Sequence, residues 1–116
     1  MPPLNILIEV NIDGEETKSG VAPSEVEAFA DEIAGYPGLR LRGLMAIPAP
    51  AEGLQAQREP HRALRELLER LRAEGLALDT LSMGMSDDLE AAVLEGATIV
   101  RIGTAIFGHR APKAAG

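Results

Sequence analysis

The strongest constraint on this chain is an alternation of four short β-type runs with three helix-type runs. The β-type runs cover residues 4–10, 41–47, 80–83 and 98–102, so the order is βαβαβαβ. Connections of this length suit right-handed crossovers between parallel strands, and helices between parallel strands imply an α/β sheet. Two architectures satisfy the order: an open flavodoxin-like sheet, or four parallel strands forming half of a (β/α)8 TIM-type barrel. Hydrophobic periodicity does not choose between them.

The helix-type runs carry their own punctuation. Ser24-Glu25-Val26-Glu27 has the form of a capping box, with Val26, Phe29, Ala30 and Ile33 on one helical face behind it. Gly35 and Pro37 end that helix. The longest helix is expected over residues 54–74, with Leu64, Leu67, Leu68 and Leu71 as its apolar stripe and Gly75 as its stop. Pro60 is expected in its first turn, so the true start could fall after Leu54. On this reading His61 lies on the exposed, charged side. A third helix is expected over residues 87–95, ended by Gly96. Residues 1–110 read as one unit and residues 111–116 as a flexible tail.

Composition removes several function classes. The net charge of −7 lacks the basic face that nucleic-acid phosphates require. The absence of cysteine removes disulfides, thiolate metal sites and a thiol nucleophile. No basic-then-apolar leader opens the sequence, and no apolar run approaches the ~18 residues of a membrane span. The expected location is cytoplasmic. His109 reads as solvated and Tyr36 as packing. No nucleophile triad, phosphate-binding P-loop or metal-ligand pair is present.

In parallel α/β folds, ligands collect at the carboxyl ends of the strands. Two segments stand out there. In Ser82-Met83-Gly84-Met85-Ser86-Asp87-Asp88 a strand end turns directly into a helix, with Ser86 at the N-cap. Its hydroxyl and the free amides beside it suit a phosphate, or serve the helix alone. In Val100-Arg101-Ile102-Gly103-Thr104 an arginine interrupts an apolar strand. Burying it unpaired is costly, so it faces either a ligand or an interior carboxylate. Gly103 allows close backbone approach and Thr104 adds a hydroxyl. The loops after the last two strands are the recurrent phosphate site of such barrels, and both segments fall there.

The ordered blocks around Lys18-Ser19-Gly20, Leu41-Arg42-Gly43-Leu44-Met45-Ala46-Ile47-Pro48, Leu81-Ser82-Met83-Gly84-Met85-Ser86-Asp87-Asp88 and Val100-Arg101-Ile102-Gly103-Thr104-Ala105-Ile106-Phe107-Gly108 resemble the second half of the YggS/PROSC family of pyridoxal phosphate homeostasis proteins. The resemblance runs from Leu4 to about Arg110. It implies a barrel similar to the N-terminal domain of alanine racemase, with these strands as the last four of eight. It also implies that pyridoxal 5′-phosphate is bound at Met85, Ser86, Arg101, Gly103 and Thr104, with Lys18 near the cofactor's edge. The arginine matching Arg101 faces the pyridine nitrogen in that family, and a fixed cation there disfavours protonation of the ring.

The family's Schiff-base lysine belongs to a first-strand segment with no counterpart here, and neither Lys18 nor Lys113 matches it. The resemblance therefore implies a cofactor carrier or supply protein rather than a catalyst, present as a truncated half. A racemase-like or phosphosubstrate enzyme fragment and an inert half-domain are the alternatives. The expected partners are pyridoxal phosphate and either a second copy or a separate N-terminal half. The strand faces expected to seek that partner include Ile6, Ile8, Leu44 or Met45, and Ile99 or Arg101.

Overall fold

A computed structural model describes residues 3–14 and 19–101. Strands β1 (Leu4–Glu9), β2 (Leu39–Met45) and β3 (Thr80–Ser82) form a parallel sheet in the order β1-β2-β3. Helices α1 (Val26–Ala34), α2 (Leu54–Ala73) and α3 (Leu89–Leu94) follow the strands in turn, and 3₁₀ turns at Pro23–Glu25 and Ser86–Asp88 lead into α1 and α3. The α/β alternation is as the sequence implies. Among the described residues three strands are seen rather than four. Residues 98–101 add one parallel bridge, Ser82 to Ile99, along the β3 edge, and residue 102 lies outside the described residues.

The core lies on one side of the sheet. Ile8, Val10, Leu44, Ala46, Leu81 and Met83 are buried against Val26, Ala30 and Ile33 of α1 and the Leu64, Leu67, Leu68 and Leu71 stripe of α2. Each large side chain so buried contributes roughly 1.5–3 kcal/mol. The inward assignment therefore fails for Ile6, Ile8 and Leu44 but not for Ile99, which lies on the other face. Ile6, Ile8 and Leu44 belong to the helix-covered core. The opposite face carries Asn5, Leu7, Arg42, Thr80 and Ile99, which line a shallow space of about 410 Å³. Register explains the exchange, because successive strand residues alternate faces and burial of Ile8 sends Leu7 and Glu9 to the other side.

Several local expectations shift for physical reasons. The Ser24 capping box does not form: the residue before α1 is Glu25, and no side chain caps that helix end. Pro23 instead starts a 3₁₀ turn, for which its fixed φ is suited. Strand β2 begins at Leu39, because Leu4 N–H donates to Gly38 O and Leu4 pairs with Leu39. Pro60 sits well inside α2 rather than in its first turn. Gly53, at φ 92°, fixes the earlier start, and Gln57 N–H donates back to Gly53 O at 3.0 Å.

His61 is fully buried, contrary to its expected exposure. It stands three residues before Leu64 and seven before Leu68, so it extends their stripe by one turn. Glu95, just past α3, is buried as well and meets three arginines of α2. Arg58 Nε approaches its carboxylate at 2.7 Å, Arg65 at 3.2 Å and Arg62 at 3.4 Å. Burial pushes the Glu95 carboxyl up, but the hydrogen bonds and charges of Arg58 and Arg62 outweigh it and hold the carboxyl below its ordinary value. This cluster ties α3 to α2.

The β2–β3 contact is close enough to require a glycine. The register between β1 and β2 shifts after Ile6, leaving Arg42 unpaired and setting Gly43 opposite Thr80. A Cβ at Gly43 would overlap the Thr80 carbonyl. Gly43→Val is therefore expected to cost about 3 kcal/mol in urea unfolding, since a backbone contact cannot yield as a flexible side chain does. Glu95→Gln is expected to cost about 2 kcal/mol at neutral pH, less than a fully enclosed broken pair because the arginines can turn to water. A carboxyl held low in the fold contributes stability that is present above its unfolded value and lost as pH falls through the folded one. Unfolding measured at pH 7 and pH 3 should accordingly show the native chain losing more stability than Glu95→Gln does.

Candidate functional site

The carboxyl end of β3 is shaped by a turn pressed against α3. Met83 is buried, and Gly84 then adopts φ 102°, a left-handed conformation that side chains rarely tolerate. A Cβ there would also overlap the Ala92 side chain. Gly84 thus lets the chain double back directly onto the helix that follows. Met85 emerges from the turn 47% exposed, making it one of the large apolar side chains left to solvent on this face.

Ser86 opens the 3₁₀ turn as its first residue; the capping position expected for it belongs to Met85. The cap is supplied from the other end of the turn. Met85 N–H donates to Asp88 Oδ1 at 2.7 Å, and Asp88 N–H donates to Met85 O at 3.2 Å, closing the turn on itself. The second oxygen of Asp88 meets His61 Nε2 at 2.8 Å. The Asp88 carboxylate is therefore held by the turn through one oxygen and by α2 through the other.

Arg101 comes to the same place through its backbone. Its N–H donates to Gly84 O at 2.9 Å, and Met83 N–H donates to Ile99 O at 3.0 Å. The side chain is half-buried and has no carboxylate partner among the described residues, so the interior salt bridge that could have explained it is not found there. Of the expected site residues, Met85, Ser86 and Arg101 are brought together around the Gly84 carbonyl. Lys18, Gly103 and Thr104 lie outside the described residues.

Two cavities open on this face. One, about 160 Å³, is walled by Pro48, Pro50, Gln57, Met85, Asp87 and Asp88. The other, about 270 Å³, lies at the end of β1 between Glu9, Asn11, Ser19 and Ile47. There Ser19 Oγ donates to Glu9 Oε2 at 2.9 Å, so the residue after Lys18 is tied to the strand end. Among the described residues no His, Cys, Asp or Glu cluster is arranged to hold a metal ion, and no helix is long and apolar enough to cross a membrane.

Sequence reasoning missed two contributors from α2. Gln57 Nε2 donates to Ala51 O at 3.1 Å and to Asp87 O at 3.4 Å, while His61 holds Asp88. The spacing of four places both on one face, and His61 shares the period of the leucine stripe. That period was the available signal. Its polar identity obscured it.

Comparison with known proteins gives this geometry a context. A family model described as alanine racemase, N-terminal domain, matches residues 1–111. A protein of Pseudomonas aeruginosa named pyridoxal phosphate homeostasis protein is 58% identical over 110 residues, covering 95% of this chain and 46% of its own length. PipY of Synechococcus elongatus, solved with pyridoxal phosphate bound, superposes with a TM-score of 0.78 at 27% identity, covering 92% of this chain and 50% of that one. Alanine racemase of Corynebacterium glutamicum shares the fold, with a TM-score of 0.68 at 21% identity over 91% of this chain and 30% of its own. The chain spans about half the length of the curated relatives it matches.

Proposed function

Because the chain belongs to the alanine racemase N-terminal domain family, in its YggS/PROSC branch, we propose that it binds pyridoxal 5′-phosphate for carriage and supply of the cofactor. The observation that carries this reading is the meeting of Arg101 with the Gly84 turn, a cation without a carboxylate partner among the described residues beside a strand end that opens into a helix. The donor set fits a phosphorylated pyridine. Ser86 and the neighbouring turn amides are of the type that holds phosphate, and a guanidinium N–H donates to an unprotonated ring nitrogen. Gly103 and Thr104 would complete the phosphate site, Met85 would cover the ring, and Lys18 would stand at its edge. His61 and Met85 N–H both donate to Asp88, which partly offsets its charge beside an anion.

When bound, the cofactor supplies an aldehyde carbon conjugated to an electron-withdrawing ring. Arg101 beside the ring nitrogen would disfavour its protonation and so weaken that withdrawal, which suits a carrier more than a transaminase. Tyr36, the only tyrosine in the sequence, also supports the carrier reading over a racemase. It lies near Gly38, which pairs with the start of β1, at the opposite end of the sheet from the 84–86 turn. A hydroxyl so placed has no reach to the site as an acid or base.

In this reading the described strands and residues 98–101 form the last four strands of an eight-stranded barrel, and residues 1–110 act as its C-terminal half. The exposed sheet face and the β1 edge, which Val21 pairs only beside Val10 among the described residues, then call for strands from a second copy or from an N-terminal half. The exposed apolar side chains of Leu4, at the start of β1, and of Ile99, on that face, support the arrangement.

The test is a comparison of ligands. Affinity for pyridoxal 5′-phosphate and for a simple phosphate monoester is measured by equilibrium dialysis in the native chain and in Arg101→Gln. The expected outcome is about a tenfold loss for pyridoxal phosphate, the scale of one charged hydrogen bond, with the monoester nearly unchanged. An equal loss for both ligands places the arginine at the phosphate instead, and no binding of either removes the reading.

A further inference from the structure

We infer that His61 is a positioning residue for the phosphate-binding turn, acting through Asp88. The inference rests on the site reading above and goes beyond the residues expected to touch the cofactor.

His61 is completely buried on α2, and its Nε2–H donates to Asp88 Oδ2 at 2.8 Å. Its Nδ1 has no partner among the described residues. A carboxylate only accepts hydrogen bonds, so Nε2 carries a proton aimed at Asp88. A buried polar ring on an otherwise leucine-lined face weakens the core unless its one bond has a use. That bond fixes the carboxylate that closes the turn.

The link from Asp88 onward is short. Its other oxygen takes Met85 N–H at 2.7 Å, so the imidazole, the carboxylate and the backbone beside Ser86 form a continuous chain of hydrogen bonds. Gln57, one turn earlier on α2, adds a parallel hold by donating to Asp87 O at 3.4 Å and to Ala51 O at 3.1 Å. Together these side chains clamp the outer side of the Ser86–Asp88 turn to a helix whose leucines anchor it in the core.

Two consequences for a phosphate follow. The turn amides keep their direction before the ligand arrives, which lowers the ordering cost of binding. With one oxygen bonded to His61 and the other to Met85 N–H, the Asp88 carboxylate is kept from swinging toward the anion, where Coulomb repulsion would oppose binding. An apolar replacement of His61 loses both effects. A side chain with an N–H at similar reach keeps them.

The experiment uses pyridoxine 5′-phosphate, which has no aldehyde and so cannot modify Lys18 or Lys113 covalently. Its dissociation constant is measured by calorimetry for the native chain, His61→Leu, His61→Gln and Gln57→Ala. His61→Leu is expected to bind about tenfold more weakly, His61→Gln within about twofold of native, and Gln57→Ala about threefold more weakly, on the scale of one charged and one neutral hydrogen bond. Native-like affinity in His61→Leu overturns the inference while leaving the site intact, as does equal weakening in the Leu and Gln variants, which would mark a packing effect. If His61→Leu lacks a cooperative melt, Gln57→Ala decides, with unchanged affinity overturning the inference. No binding by the native chain overturns the site reading and this inference with it.

Discussion

Everything at the carboxyl end of the sheet depends on one packing contact: the leucine stripe of α2 against the buried face of β2 and β3. Leu64 and Leu71 are fully buried, as is Leu44 beneath the helices, and that contact fixes the distance and direction of α2 relative to the strand ends. From this fixed helix, His61 and Gln57 reach the Ser86–Asp88 turn, while Arg58, Arg62 and Arg65 hold Glu95 at the far end of α3. The short α3 is thus secured at both ends by side chains of its neighbour. Six residues of helix have little stability alone, so these ties decide where the turn before it points.

The two faces of the sheet differ in kind. One face is covered by helices and is apolar; the other carries Asn5, Leu7, Arg42, Thr80 and Ile99 in a mixed surface. Arg42 on that face is bound to Asp79 through Nε and Oδ1 at 3.1 Å, and with Thr80 it pulls the Asp79 carboxyl down to about 2. Polar side chains on this face are satisfied by pairing with one another.

Much of this was legible in the residues, and the rest was hidden for identifiable reasons. Alternating β-type and helix-type runs gave the element order, because burial periodicity is written directly in Ile6, Ile8 and Val10 and in the α2 leucines. Boundaries were less legible: Pro60 looked like a first-turn residue, yet Gly53 starts the helix earlier and the helix accepts one missing hydrogen bond. The backbone segments of the candidate site could be named from Gly84, Ser86 and Arg101. The side chains that hold them could not, because Asp88 looked like an ordinary helix-start residue and His61 like a solvated one. Glu95 carried a usable signal. An acid at a helix C-terminus opposes the dipole, and three arginines at spacings of four and three on α2 offered its compensation.

The account's central claim is that ligand phosphate is held at the end of β3 and not at the end of β1, where the larger of the two strand-end cavities lies. Residue-resolved amide NMR during titration with pyridoxal 5′-phosphate separates the two places. The account predicts the largest saturable shifts at Gly84, Met85, Ser86 and Arg101, with Asn11, Ile12 and Ser19 little changed. Shifts concentrated at Asn11, Ile12 and Ser19, with the 84–86 turn unmoved, would contradict it.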